Sequence, residues 1–185
     1  MRLFIAIPIL ADKQLQNTVL SLKNSLSAEK ITYTDLQNIH LTLLFLGDIS
    51  ETLVPEINSL MEAVAYDHDP FEMEIKRLGL FGSSYDPKVI WVGAEPKEKL
   101  QALHEELAEA MQKIGYRADR QNFVPHFTLG RIRKLTDKPH FQKSIEKYTD
   151  KKFQAMNIKE IMLYESVLTA NGPIYTIQGV APLGC

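Results

Sequence analysis

Asn38-Ile39-His40-Leu41-Thr42-Leu43-Leu44-Phe45-Leu46-Gly47 and Phe123-Val124-Pro125-His126-Phe127-Thr128-Leu129-Gly130-Arg131 decide the reading of this chain. Each stretch carries a His-x-Thr-Leu core, and the two histidines stand close to half the chain length apart. Such an echo is the mark of a duplicated unit. It predicts two similar lobes related by a pseudo-twofold axis. Both stretches are rich in β-branched and aromatic residues and read as strands. Side chains on a strand alternate between faces, so residues i and i+2 point the same way. His40 and Thr42 therefore share one face, with Leu41 and Leu43 on the other. His126 and Thr128 share a face opposite Phe127 and Leu129. Each motif sets an imidazole beside a hydroxyl on a strand anchored in the core.

The flanking sequence fills in the frame. Arg2 to Ile9 is a short apolar run and reads as a buried strand. Leu15, Val19, Leu22 and Leu26 recur at helical spacing, which predicts a helix over Asp12 to Leu26 with Asp12 as N-cap. His40 to Ile49 is the next strand, and Ser50 is placed to cap the helix that carries Leu53, Ile57, Leu60, Met61 and Val64. Phe71 to Leu80 alternates apolar and charged residues. Gly82 to Pro87 has turn chemistry and Lys88 to Ala94 is apolar, so the three together predict a long hairpin. From Pro96 to Gly115, Leu100, Leu103, Leu107, Met111 and Ile114 mark the clearest helix. His126 to Arg133 is a strand, Pro139 to Tyr148 a short helix, and Ile158 to Leu168 and Ile174 to Val180 a closing pair of strands around Asn171-Gly172-Pro173. The order is mixed rather than strictly alternating. The predicted class is α+β: two pseudo-symmetric lobes with antiparallel or mixed sheets, a central cleft and helices outside. No linker-like stretch interrupts the chain, so residues 1–185 read as one two-lobed domain.

Bulk properties limit the function. The 185 residues are 45% hydrophobic and 24% charged, as in an ordinary globular protein. Cys185 is the one cysteine, so no internal disulfide can form. No signal peptide or run of about 20 apolar residues is recognisable, and the expectation is a cytoplasmic protein with no membrane partner. With 21 basic and 23 acidic residues the net charge is −2, which argues against coating long nucleic acid. The exception is local: Gly115 to Lys134 holds Arg117, Arg120, Arg131, Arg133 and Lys134 against Asp119 alone. A solvated surface strip and an anion-binding strip both fit that pattern.

Imidazoles titrate near neutrality and exchange protons, and hydroxyls donate to phosphate oxygens. Two of each suit acid–base work on a phosphate. The other histidines lack this setting: His68 sits in an Asp-His-Asp-Pro turn and is expected in solvent, His104 at the edge of the Leu100/Leu103/Leu107 stripe is expected to snorkel, and His140 begins a helix. Strict alternation puts Arg131 on the face opposite His126. It reaches the site only if the strand bulges or ends near Gly130; otherwise it forms a surface or lobe–lobe ion pair. Tyr33, Phe45 and Tyr85 offer rings for a nucleobase, although parity assigns Phe45 to the core. Zinc held by the two histidines and a carboxylate such as Asp35 is the chemical rival. No His-Glu-x-x-His and no cysteine pair supports it.

The sequence resembles the two-histidine phosphoesterase superfamily, in the branch of RNA 2′,3′-cyclic phosphodiesterases also named 2′–5′ RNA ligases. The resemblance rests on RLFIAIPI, on both His-x-Thr stretches, on Leu80-Phe81-Gly82 and on Pro87 to Gly93. Leu44 stands where the family often has Lys, and Lys88 where it often has Arg. The resemblance implies hydrolysis of a terminal 2′,3′-cyclic phosphate to a 2′-phosphate, without metal or cofactor. It implies His40 as proton donor, His126 as proton acceptor, and Thr42 and Thr128 as substrate-binding residues. The expected partners are RNA ends or small cyclic nucleotides, and the expected state is a monomer. Activity on 2′–5′ linkages, or a non-catalytic RNA-end-binding module of the same fold, are the alternatives.

Overall fold

The computed structural model describes residues 1–117 and 122–184. Asp119 and Arg120 of the basic stretch, and Cys185, lie outside the described residues. The strands are β1 (Arg2–Pro8), β2 (Lys30–Tyr33), β3 (His40–Asp48), β4 (Phe71–Gly82), β5 (Pro87–Glu95), β6 (His126–Lys134), β7 (Lys152–Ile158), β8 (Glu160–Thr169) and β9 (Gly172–Pro182). The helices are α1 (Lys13–Ser25), α2 (Val54–Tyr66), α3 (Lys97–Met111) and α4 (Lys138–Glu146). The strands form two antiparallel sheets, ordered β3-β1-β8-β9 and β2-β6-β5-β4-β7. The α+β class is therefore correct.

The two orders correspond: β3 beside β1 in the first sheet matches β6 beside β5 in the second, with β2 added at the second sheet's edge. Helices α2 and α3 pack on the first sheet, and α1 packs against β7 of the second. Ser25 of α1 hydrogen bonds to Ser144 of α4, which sets α4 beside α1. The sheets meet along β3 and β6. Leu3, Ile5 and Ile7 of β1 are buried, and they join Leu41, Leu43, Phe127 and Leu129 in one continuous apolar core.

Local chemistry accounts for most boundaries. Asp12 caps α1 by accepting from the Leu15 amide at 2.8 Å, as its position predicts. Ser50 precedes a 3-10 turn, but its hydroxyl bonds Thr52 Oγ1 at 2.9 Å instead of capping. Pro55 in the first turn of α2 suits the helix start. Two strands escape a pattern reading. β2 has only four residues. β7 buries the polar Gln154, whose side chain accepts from the Asp12 amide at 2.9 Å and donates to the Leu10 carbonyl at 2.7 Å. Its alternation is thereby masked in the sequence.

A buried carboxylate organises the far end of the second sheet. Glu29 is 8% exposed and accepts from the Thr136 amide (2.5 Å), the Thr136 hydroxyl (3.0 Å) and the Asp137 amide (2.9 Å). Burial alone would push its pKa up; these hydrogen bonds outweigh burial and hold it below the ordinary 4.5. A depressed carboxyl pKa stabilises the fold above the unfolded value, and that contribution fades as pH falls through the folded value. Glu29→Gln should therefore cost about 1–3 kcal/mol at pH 7. Urea denaturation should show the gap between the two proteins closing as the pH is taken below 4.5.

Candidate active site

The two motif strands have nearly identical burial patterns. His40, Thr42, His126 and Thr128 are half-buried, while Leu41, Leu43, Phe127 and Leu129 are buried. Alternation holds over these four positions of each strand and then breaks in both at the same place. Ile5 and Ala6 of β1 lie opposite Leu44 and Thr42, so Leu43 is an extra residue. Ile90 and Trp91 of β5 lie opposite Gly130 and Thr128, so Leu129 is an extra residue. A bulge of this kind reverses which face the following residues occupy.

Two parity assignments change as a result. Phe45 is 66% exposed, not in the core, and its ring lies 5.9 Å from Phe4 on the face that carries His40. Arg131 is exposed and shares the face of His126 and Thr128. Its charge acts on Tyr175 of the opposite sheet, where burial raises the phenol pKa and the Arg131 guanidinium opposes the rise. Tyr175 in turn lies 5.0 Å from the His40 ring. Arg131 thus belongs to the cleft.

Both imidazoles are held in the same way. His40 Nδ1 donates to the Asn38 carbonyl at 2.8 Å, and His126 Nδ1 donates to the Val124 carbonyl at 2.6 Å. A carbonyl can only accept, so each Nδ1 carries the hydrogen and each Nε2 keeps the lone pair that can take up a proton. Aromatic rings fix the imidazole planes. His40 packs against Phe4 at 4.8 Å and edge-on to Tyr175. His126 packs edge-on to Phe81 at 4.9 Å and near Trp91 at 6.1 Å. Trp91 lies across Gly79, where a Cβ would fall 2.2 Å from the indole, so only glycine leaves room for the ring. Burial drives the His40 pKa below 6.5, and the hydrogen bond to Asn38 works against that shift. Asp35, the carboxylate of the zinc alternative, caps a 3-10 turn by accepting from the Gln37 amide.

Two of the remaining histidines differ from expectation, His68 and His104. His68 is partly buried and paired with Glu106 at 3.0 Å rather than free in solvent. His140 Nε2 donates to the Ser25 carbonyl at 2.8 Å. His104 does not snorkel. Its Nδ1 donates to the Leu43 carbonyl at 2.7 Å, and its ring stacks on Phe123 at 4.3 Å and 4°. Leu43 is the bulge residue of the first motif, and Phe123 lies three positions before His126. One helical side chain therefore ties the first motif strand to the segment that leads into the second. No spacing rule reveals this, because both partners are remote in sequence.

Two matching His-x-Thr strands thus lie on adjoining antiparallel sheets in an α+β frame. The family model of the 2′-5′ RNA ligase superfamily matches residues 12–167, and the chain belongs to that superfamily. It is similar to the RNA 2′,3′-cyclic phosphodiesterase of Methanocaldococcus jannaschii, with 33% identity over 96% of this chain and 98% of the relative. It is also similar to the protein of that name from Aquifex aeolicus, with 36% identity over 78% of each chain. Among solved structures, a protein of Thermus thermophilus superposes with a TM-score of 0.80 at 23% identity, covering 99% of this chain and 98% of the other. E. coli LigT in complex with 3′-AMP superposes with a TM-score of 0.72 at 22% identity, covering 98% and 97%. At these identities the structural likenesses speak for the fold.

His104→Ala leaves the Leu43 carbonyl without its donor and removes the stack on Phe123. The expected loss is about 1–3 kcal/mol of stability, read from the urea midpoint, with Asn at the same position recovering part of it.

Proposed function

We propose that this protein hydrolyses the 2′,3′-cyclic phosphate at RNA ends to a 2′-phosphate by two-histidine acid–base catalysis that needs no metal. The observation that carries the reading is the matched pair of imidazoles. Each donates from Nδ1 to a backbone carbonyl and keeps Nε2 for proton exchange, beside a threonine on the same face. The names of the relatives at 33% and 36% identity support the substrate class. The chain is read as one two-lobed domain with one motif from each lobe. Both motifs come from the same chain, so the site is complete in a monomer. A single cysteine and no possible internal disulfide fit the cytoplasm.

His126 takes a proton from water through Nε2, and the resulting hydroxide attacks phosphorus in line with the 3′ oxygen. The P–O3′ bond breaks, and the His40 imidazolium gives its Nε2 proton to the departing oxygen. A 2′-phosphate and a free 3′-hydroxyl result. Each general acid–base step contributes roughly 10²–10⁴-fold. Thr42 and Thr128 donate hydrogen bonds to the non-bridging oxygens, whose charge grows in the transition state. Arg131 adds a positive charge on the same wall. Phe45, exposed across from it, offers its ring to the terminal base. Reversal of the reaction would exchange the two histidine roles.

His40→Ala and His126→Ala should each lower kcat on 2′,3′-cyclic AMP by at least about 10²-fold with an unchanged circular dichroism spectrum; near-full activity in either would overturn the scheme. The pH dependence gives a second check. His40 must be protonated to act as donor, yet burial depresses its pKa in the free protein. The limb of kcat/KM that falls with rising pH is therefore expected below 6.5. The corresponding limb of kcat should lie higher, because a bound anionic phosphate favours the imidazolium.

A further inference from the structure

Beyond Arg131 the second sheet carries a basic rim with no part in the acid–base scheme. A concavity of about 270 Å³ opens between the β4–β5 turn and the start of α4. Lys88, Arg133, Lys134 and Lys138 line it, with Asp86 as its one carboxylate and Tyr85 at its edge. Asp86 is taken up by Lys88 at 2.5 Å. Among the described residues no carboxylate pairs with Arg133, Lys134 or Lys138 within ion-pair distance. On a chain of net charge −2 this is a concentrated positive field.

The rim is held in place. Arg133 Nε donates to Thr32 Oγ1 at 3.4 Å, and Lys138 Nζ donates to the Tyr85 carbonyl at 2.9 Å. The turn between Lys134 and Lys138 is fixed by the buried Glu29. The rim is also continuous with the cleft. Past the bulge, Arg131 and Arg133 share the face of His126 and Thr128, about 6.6 Å apart at strand rise. The Tyr85 ring is 83% exposed. A cationic track with an exposed ring beside it is the arrangement that binds single-stranded nucleic acid without reading its sequence.

We infer that this rim binds the phosphodiester backbone of the single-stranded RNA that leads to the cyclic end, with Tyr85 as a stacking surface for an upstream base. The inference rests on the hydrolytic reading and adds to it a site for the body of the substrate. It predicts that the enzyme prefers an oligonucleotide over a cyclic mononucleotide through contacts away from the reacting phosphorus.

The test compares kcat/KM for 2′,3′-cyclic AMP with that for a six-nucleotide RNA ending in the same cyclic phosphate, in wild type, Lys88→Glu/Lys134→Glu and Tyr85→Ala. The wild type should favour the RNA, and the preference should shrink with added salt, by roughly 0.7 in log–log slope for each phosphate contact. The double variant should lose about tenfold or more on the RNA, and Tyr85→Ala about threefold or more. Both should keep turnover of cyclic AMP within about twofold, which also reports an intact fold. Equal wild-type kcat/KM on the two substrates, or an RNA preference that survives in the double variant, overturns the rim. If the wild type turns over neither substrate, the hydrolytic reading fails instead. The rim is then judged by fluorescence anisotropy of the labelled RNA, where undiminished binding by the double variant overturns it.

Discussion

A bulge at the same place in both motif strands sets the geometry of the cleft. A strand has a period of two, so an unbroken β3 or β6 would keep every second side chain in the core. Leu43 and Leu129 interrupt that period three positions after His40 and His126. Phe45 and Arg131, two residues further on, thereby come to the cleft face. Without the bulge, Phe45 would enter the core and Arg131 would carry its guanidinium into an apolar interior, at a cost of several kcal/mol. His104 donates to the carbonyl of Leu43, the bulge residue itself. The same device thus positions side chains and presents the carbonyl through which α3 holds β3 to the segment leading into β6.

The repeated architecture becomes a directional site through its differences. Both imidazoles use Nδ1 in the same hydrogen bond, and both threonines stand two residues on. The fifth position after each histidine is Phe45 on one wall and Arg131 on the other. A near-symmetric pair of walls therefore carries a ring on one side and a cation on the other, so the two walls differ in chemistry. The ring contacts differ as well. Phe4 and Tyr175 surround His40, whereas Phe81 and Trp91 flank His126. The burial that shifts the His40 titration follows from its packing on β1, whose residues from Leu3 to Ile7 are buried on both faces.

Charge is organised locally rather than overall. The chain is slightly acidic, yet cations gather along one end of the second sheet from Arg131 outward. Glu29 lies beneath this end, with its carboxylate spent on backbone amides and a hydroxyl. It orders the turn that bears the cations and exposes no competing negative charge.

The sequence by itself determined the α+β class, the long helices, and the placing of His40 with Thr42 and of His126 with Thr128. Each of these follows from short-range periodicity within one element. It also marked the basic stretch around Arg131 and Arg133. The strands β2 and β7 were not legible, one for its length and the other because distant backbone groups satisfy a buried glutamine. Only the tertiary structure decided the faces of Phe45 and Arg131 and the role of His104. A bulge is a relation between a strand and its neighbour: β3 acquires its extra residue against β1, and β6 against β5. A parity count within one strand cannot register a residue that is extra only in relation to a partner strand far away in the chain.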